Sequence, residues 1–426
     1  MANLITFALE APPATVKVQA DFYDDDEKRA LLASPIGSIF TDLPGTLELP
    51  TTDICAYYLY YKRRLRVDNY SSHADILRQW HQALVEFDGQ FKLVESSMQL
   101  TSASNTNAGT MERLGEGIGL AVASKLHGLH QADWSRIPST NTRKTFDFQR
   151  PWTASDGRQF VQLEAKGSAA KDNHDKTASV SNHKASIKAK KTQVPDADRR
   201  TASFYGTIAV LDDRRGSVAR CWLVDPPPEE LDDPYRFRIL TRLFYIADLV
   251  LLLGSRSNLS ASLQTRLASL SALADISPLD DVPLKKANGE EFPLTAFSNA
   301  DDLNPWFLGK SVASDGSAGG IISVLDPRVL MLIAMREPLI GHVAQQDFSI
   351  IENYSFTAQT LVTSVNCVVP TGRFKREFSE VMQIPANESY ETGGYVYFRL
   401  EGHLHYTQSG LVVGILPIPE NWRRRK

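Results

Sequence analysis

The stretch from Lys144 to Lys166, KTFDFQRPWTASDGRQFVQLEAK, decides how the middle of this chain is expected to fold. Apolar and polar residues alternate in 144–149 and again in 159–166, which is the pattern of half-buried strands. The residues between them, Ala154-Ser-Asp-Gly157, favour a turn. We therefore predict two strands that pair as a hairpin.

Charged and polar side chains share one face of this predicted hairpin. Alternate side chains of a strand point to opposite faces, so Gln162, Glu164 and Lys166 lie on the same side of the second strand. In the first strand, Asp147 stands between two phenylalanines that would face the core. Pairing of the two strands could then bring Asp147 within reach of Glu164.

Two converging carboxylates suit Mg²⁺ or Mn²⁺, which are hard cations that take oxygen ligands and commonly share them with a substrate phosphate. The metal would polarise a phosphoryl oxygen and lower the pKa of a water, and Lys166 would add a positive charge beside the reacting phosphate. The alternative is a solvated strand face on which Asp147 is a cross-strand partner of Glu164, a pair that contributes only about 0.2–1 kcal/mol.

A helix is predicted to precede the hairpin, from Met111 to about Leu129, after a polar stretch at 101–110. Its apolar residues cover two sides, so we expect burial on both, and Glu116 is then an unusual occupant. The glycines of Gly115-x-Gly-x-Gly119 indicate close helix packing, because no strand precedes them and the spacing is not that of a nucleotide-binding loop.

A lysine-rich helix is predicted at Ser181–Lys191, after the hairpin. Lys184, Lys188 and Lys191 share one of its sides, where they could bind the phosphates of a nucleic acid. The alternative is an ordinary solvated face. A continuous apolar strand at 205–211 and a partner strand at 218–224 follow this helix.

The ordered set of Glu116 on a helix, Asp147 on a strand and Glu164-Ala-Lys166 on the next strand resembles the core of the PD-(D/E)XK nuclease superfamily. The resemblance covers about residues 111–225, roughly a quarter of the chain. It implies that Asp147 and Glu164 bind the metal and that Lys166 is catalytic. Glu116 and Gln162 would support them. Phe146 departs from the pattern, because the family often has proline there.

The predicted fold class is α/β, with a restriction-endonuclease-like mixed sheet flanked by helices and with additional N-terminal α/β and C-terminal α+β regions. We predict three domains: a mixed α/β region at 1–105, the nuclease-like domain at 106–228, and a region at 229–426 that is helical and then rich in strands. Prolines at 226–228 mark the second boundary.

The composition sets limits on function. The 426 residues are 42% hydrophobic and 23% charged, and the net charge of −4 leaves nucleic-acid binding to local basic patches. Three scattered cysteines indicate neither a disulfide framework nor a thiolate zinc site. This cysteine usage favours a reducing, cytoplasmic setting. The longest apolar run, Leu243–Leu253, is about half a membrane span and contains Asp248, so we expect no membrane partner.

The expected function is that of a metal-dependent endonuclease with Mg²⁺ or Mn²⁺ as cofactor and nucleic acid as substrate. We favour DNA, with RNA as the alternative. A microbial restriction or antiviral-defence role, with a partner subunit or a second copy of the chain, follows by analogy with the family. The alternative is a catalytically silent nuclease fold that binds nucleic acid or scaffolds a complex.

Overall fold

A computed structural model of the chain describes residues 15–33, 37–62, 82–83, 86–87, 89–94, 96–103, 106–137, 148–151, 160–192, 203–224, 234–254, 257–292, 309–313, 318–326, 329–373 and 382–423. The chain divides into two compact units. The first unit contains Pro13–Arg63 and Glu86–Thr241, and the second consists largely of Arg242–Lys426. Each unit has its own sheet and its own helices, so the protein is of the mixed α/β class.

Nine strands among the described residues form the sheet of the first unit. These strands are β1 Thr15–Phe22, β2 Thr46–Pro50, β3 Phe91–Val94, β4 Ser97–Leu100, β5 Ser135–Arg136, β6 Phe148–Pro151, β7 Phe160–Ala169, β8 Ser203–Leu211 and β9 Ala219–Val224. The strand order is β3-β4-β1-β9-β8-β7-β6-β5, and β2 pairs with β1. The predicted hairpin is confirmed, because β6 and β7 pair antiparallel with Phe148 opposite Leu163.

Helices accompany this sheet. They are α1 Asp25–Ala33, α2 Gly37–Thr41, α3 Thr51–Lys62, α4 Ala108–His127 and α5 Ala178–Thr192, and α6 Pro234–Leu253 runs from the first unit into the second. Helix α5 connects β7 to β8, which lie side by side and parallel. Such a crossover is the usual connection between parallel strands, because a short hairpin cannot join them.

Helix α4 packs on one face of the sheet through glycines. A Cβ atom on Gly115 would lie 2.2 Å from the backbone nitrogen of Gly167, and one on Gly119 would lie 2.3 Å from Oγ1 of Thr207. Side chains at these two positions would therefore push the helix off β7 and β8. The prediction that the glycines serve helix packing is confirmed.

Helix α5 packs on the opposite face of the sheet. Val180 and Ile187 of this helix are fully buried in a cluster with Ile208 and Val210 of β8 and with Trp222 of β9. This burial fixes which side of α5 faces the sheet, and it places the beginning of the helix next to the end of β7, where Ser168 and Ser179 share a hydrogen bond of 2.9 Å.

The second unit contains a seven-stranded sheet among its described residues. Its strands are β10 Gly309–Ala313, β11 Ala318–Asp326, β12 Val329–Arg336, β13 Gln359–Pro370, β14 Ser389–Thr392, β15 Tyr395–Tyr406 and β16 Leu411–Pro417. The order is β13-β10-β11-β12-β16-β15-β14, and β13 also pairs with β15. The helices are α7 Asn258–Ala272, α8 Glu337–Gln345, α9 Phe348–Asn353 and α10 Thr371–Arg373, together with most of α6.

The region after residue 229 is helical and then rich in strands, as predicted. Its strand β15 is unbroken, because antiparallel pairing with β13 continues through Glu401 and Gly402. None of the helices among the described residues is long and apolar enough to cross a membrane.

The domain boundaries differ from the predicted ones. We predicted a separate N-terminal region at 1–105, but β1 pairs in parallel with β9, and β1 to β4 belong to the same sheet as the hairpin of β6 and β7. The division between the units falls after Thr241, inside α6, rather than at residue 228. Alternation within a strand does not specify its partner strand, which here lies about 200 residues away.

Candidate active site on strand β7

Glu164 lies in the middle of β7 and is fully buried. The ammonium nitrogen of Lys166, two residues further along the strand, is 2.5 Å from Oε1 of Glu164. A second ammonium group comes from Lys190 of α5, whose Nζ is 2.6 Å from Oε1 and 2.7 Å from Oε2. Both lysine side chains are 21% exposed. One buried carboxylate is therefore held between two lysines.

The approach of Lys190 depends on a small neighbour of Glu164. Gly206 of β8 pairs with Glu164, and a Cβ atom at this glycine would lie 2.7 Å from Ile187 of α5. Because Gly206 has no side chain, Ile187 can sit directly over β8. Lys190 follows Ile187 by three residues, which is nearly one helical turn, and so reaches the same region of the sheet.

Because Glu164 is buried, its negative charge depends on neighbouring cations for compensation. A carboxylate withdrawn from water is costly unless cations or hydrogen-bond donors compensate it, and Glu164 has two cations in contact. Its oxygens are hard donors of the kind that Mg²⁺ and Mn²⁺ prefer. Two ammonium groups contact this carboxylate, so it is placed to hold positive charge. A divalent cation at this position would need a second carboxylate beside Glu164.

The predicted second carboxylate, Asp147, lies outside the described residues. It immediately precedes Phe148, which pairs with Leu163, the neighbour of Glu164. Among the residues that the structure describes, no group of three or more His, Cys, Asp or Glu side chains is arranged to hold a metal ion. Metal binding by Asp147 and Glu164 therefore stays a prediction.

The two predicted supporting residues have different surroundings. Glu116 is buried on α4, and Nη2 of Arg136 lies 3.9 Å from its Oε1. Helix α4 contacts the sheet face that carries Ala165, whereas Glu164 projects toward α5. Gln162 is half-buried and lies two residues before Glu164 on β7, on the same face of the strand. Gln162 is thus beside the lysine cluster, and Glu116 is on a helix of the other face.

Lys184 and Lys188, two of the lysines that we predict to bind phosphate, contact carboxylates in this structure. One carboxylate is on helix α1, and the other is on Asp24, the residue before it. Lys184 contacts Asp24 and lies 3.0 Å from Oε1 of Glu27, and Nζ of Lys188 is 2.5 Å from the same oxygen. Burial lowers the pKa of Lys184, but its hydrogen bonds to Asp24 and Glu27 outweigh this and raise the pKa above its usual value. The side chain of Lys191 lies outside the described residues. Phosphate binding by these lysines stays a prediction.

Sequence reasoning missed Lys190 and His183, which both face β7 from α5. Nε2 of His183 lies 3.2 Å from the carbonyl oxygen of Gly167. Burial and the charge of Lys166 lower the pKa of His183 despite that hydrogen bond, so the imidazole is neutral near pH 7. A carbonyl only accepts, so Nε2 carries the proton and Nδ1 is an acceptor. The apolar residues Val180 and Ile187 were the signal for this side of α5.

No protein-family model, no curated protein and no solved structure matches this chain. The resemblance to PD-(D/E)XK nucleases thus remains a prediction that depends on the residues that carry it.

Proposed function

We propose that the first unit is a restriction-endonuclease-like, metal-dependent nuclease that hydrolyses phosphodiester bonds of nucleic acid, with DNA as the favoured substrate. The observation that carries this proposal is the contact between the buried carboxylate of Glu164 and the partly exposed ammonium group of Lys166, two residues further along β7. A hairpin partner, β6, begins at the residue after Asp147. The acid, the hairpin and the Glu-Ala-Lys strand therefore occur in the order that the resemblance requires.

The proposed roles follow from the chemistry of each side chain. Carboxylate oxygens of Asp147 and Glu164 would hold Mg²⁺ or Mn²⁺, and Lys166 would stabilise the negative charge that develops on the phosphate. When bound, the metal polarises the phosphoryl oxygen and lowers the pKa of a water. The burial of Glu164 keeps water away from the carboxylate, which strengthens its interaction with any cation.

A second candidate function is a silent nuclease fold that binds nucleic acid or scaffolds a complex. The observation that favours it is the completeness of the ion-pair cluster, because Lys166 and Lys190 together make three short contacts with the oxygens of Glu164. A cluster of this kind needs no metal for its charge balance. Glu164 would then act in folding alone.

The test is cleavage by the purified full chain of plasmid, linear duplex DNA, single-stranded DNA and RNA, with binding measured alongside. We expect cleavage in Mg²⁺ and none in a chelator. Ca²⁺ should support binding with little turnover, because it prefers more ligands and a looser geometry. Binding without cleavage in Mg²⁺ and in Mn²⁺ would instead favour the silent fold.

The biological setting belongs to the same proposal. A cytoplasmic restriction or antiviral-defence role, with a partner subunit or a second copy of the chain, would give the second unit a task in substrate choice or control. Comparing cleavage of phage DNA and host DNA by the same preparation tests that role. Equal cleavage of both would argue against discrimination by this chain alone.

A further inference from the structure

The sheet of the second unit closes on itself. Strand β13 pairs with β10 on one side and with β15 on the other, so β10, β11, β12, β16, β15 and β13 form a ring. Each strand of a closed ring has a neighbour on both sides, which removes free edges. Strand β14 is attached outside this ring and pairs, among the described strands, with β15 alone. It therefore has one edge without a paired strand in the described part of the chain.

The backbone groups at this free edge follow from the hairpin turn. The turn 393–394 joins β14 to β15, and its two glycines have φ of 56° and 80°, the left-handed values of the tightest hairpin turns. Thr392, which precedes the turn, and its partner on β15 exchange hydrogen bonds, and the direction of the backbone groups then alternates along β14. Tyr390 thus bonds to β15, whereas the N–H and C=O groups of Ser389 and Glu391 point to the free edge.

An exposed aromatic side chain stands on the same strand. Tyr390 is 64% exposed, and its ring stacks on that of Tyr397 of β15, with ring centres 4.8 Å apart and an angle of 5° between the planes. One face of the Tyr390 ring is thus covered and the other is open. Monomeric proteins usually protect sheet edges with proline, lysine or a β-bulge. The strand Ser389–Thr392 contains neither residue and its register with β15 is regular, so β14 can accept another strand.

Strand β14 is complementary to a second copy of itself. In an antiparallel pair with two-fold symmetry, opposite residues share a face, so the axis must pass between two identical residues. An axis at Tyr390 places the two Tyr390 rings side by side, with Ser389 opposite Glu391, where a hydroxyl group can donate to the carboxylate. All the backbone groups that point to the free edge then meet partners. An axis at Glu391 would instead place two carboxylates opposite each other, which is destabilising.

We propose that two copies of this chain associate by antiparallel pairing of their β14 strands, with Tyr390 opposite Tyr390 of the partner subunit. Backbone hydrogen bonds of Ser389 and Glu391 and the stacked tyrosines hold the two strands together. The paired segment is short, so the dimer is reversible and forms at high protein concentration. The inference depends on the second unit alone, and it goes beyond the proposed nuclease activity.

Cysteine cross-linking of the full chain tests the register. Opposite residues that do not exchange hydrogen bonds have Cα atoms about 4.5 Å apart, within the range that a disulfide spans. Tyr390→Cys should therefore form a disulfide-linked dimer when oxidised glutathione takes up the electrons of the two thiols. Glu391→Cys is the matched control, because its thiols would be displaced by about 7 Å along the strands and should stay unlinked. The native cysteines, Cys55, Cys221 and Cys367, are buried.

Sedimentation equilibrium tests the association without a cross-link. The wild type should show a concentration-dependent equilibrium between monomer and dimer. Glu391→Pro removes an N–H group from the free edge while leaving the bonds to β15, and should weaken the dimer at least about tenfold. Val362→Ala shortens another exposed apolar side chain, which is 68% exposed on β13, and should leave the equilibrium unchanged.

Three results would overturn the inference. They are a wild type that stays monomeric up to about 1 mM, equal cross-linking of Tyr390→Cys and Glu391→Cys, and a dimer that Glu391→Pro does not weaken. The cysteine variants keep the outcome decidable if proline disturbs β14. Because none of these measurements uses nucleic acid or metal, their outcome is separate from that of the cleavage test.

Discussion

Two buried glutamates, Glu27 on α1 and Glu164 on β7, are each held by two lysines, and α5 supplies lysines to both. Glu27 receives both of its lysines from α5, whereas one lysine of Glu164 comes from its own strand. The ion pairs themselves are alike, so they do not distinguish a structural cluster from a catalytic one. The difference lies in the neighbourhood, because β7 is paired with the strand that follows Asp147.

The surroundings of Glu27 are those of a structural cluster. Lys184 lies 4.3 Å from the ring centre of Tyr23 and contacts Asp24, and Tyr23 belongs to the buried cluster under α5. The cation, the aromatic ring and the acids fasten α1 to α5. Glu27 is therefore an internal control for Glu164, with the same residue type, similar burial and the same partner helix.

The largest expected difference is in the cleavage rate. It separates Asp147, the proposed second metal ligand, from Asp24, the acid beside Glu27. Asp147→Asn should reduce Mg²⁺-dependent cleavage by at least about 10³, because the metal would lose one of its two carboxylates. Asp24→Asn should leave the rate close to that of the wild type. Single-turnover cleavage of a labelled duplex measures both rates. Cleavage by Asp147→Asn at the wild-type rate would remove this residue from the site.

Substitution of Lys166 should slow cleavage less than substitution of the proposed metal ligands. Lys166→Ala is expected to slow cleavage by about 10²–10³ while leaving Mn²⁺ binding largely intact, since the lost group stabilises the transition state and does not bind the metal. Rate and Mn²⁺ affinity measured on the same preparation separate the two effects. A parallel loss of Mn²⁺ binding would mean that Lys166 maintains the site rather than the reaction.

Glu27 should contribute to the stability of the first unit rather than to cleavage. Glu27→Gln removes the buried carboxylate that Lys184 and Lys188 share and leaves Lys184 with Asp24, and it should lower the free energy of unfolding of the first unit by roughly 2–4 kcal/mol. Urea unfolding followed by fluorescence measures this change, with Glu48→Gln on the exposed side of β2 as the control. If Glu27→Gln were as stable as that control, the cluster would not fasten α1 to α5.

The smallest expected effect concerns phosphate contacts. Lys188 is 51% exposed and Lys184 is held by two carboxylates, so we expect Lys188 to be the one that reaches phosphate. Lys188→Ala should reduce the slope of log affinity against log salt by roughly 0.9 on duplex DNA, and Lys184→Ala should leave it unchanged. Unchanged slopes for both would mean that the two lysines contact carboxylates and not phosphate.

The sequence predicted the strands and helices of the candidate site better than it predicted which strands pair with one another. Alternation around Glu164 and the glycines at 115 and 119 indicated the hairpin and the helix contact, because both depend on local spacing. The pairing of β1 with β9 depends on contacts between distant residues and has no local signal. The contact of Lys190 with Glu164 was missed because the helix has lysines on several sides. The apolar residues Val180 and Ile187 are the ones that indicate which of these sides is buried.

We propose that Glu164, unlike Glu27, binds a cation that is used for cleavage. The most direct measurement is Mg²⁺-dependent cleavage of one duplex substrate by the wild type, Glu164→Gln and Glu27→Gln side by side, with folding checked by circular dichroism. We predict that folded Glu164→Gln loses cleavage by at least about 10³, whereas folded Glu27→Gln cleaves at nearly the wild-type rate. Cleavage by Glu164→Gln at the wild-type rate would mean that Glu164 does not bind the metal used for cleavage.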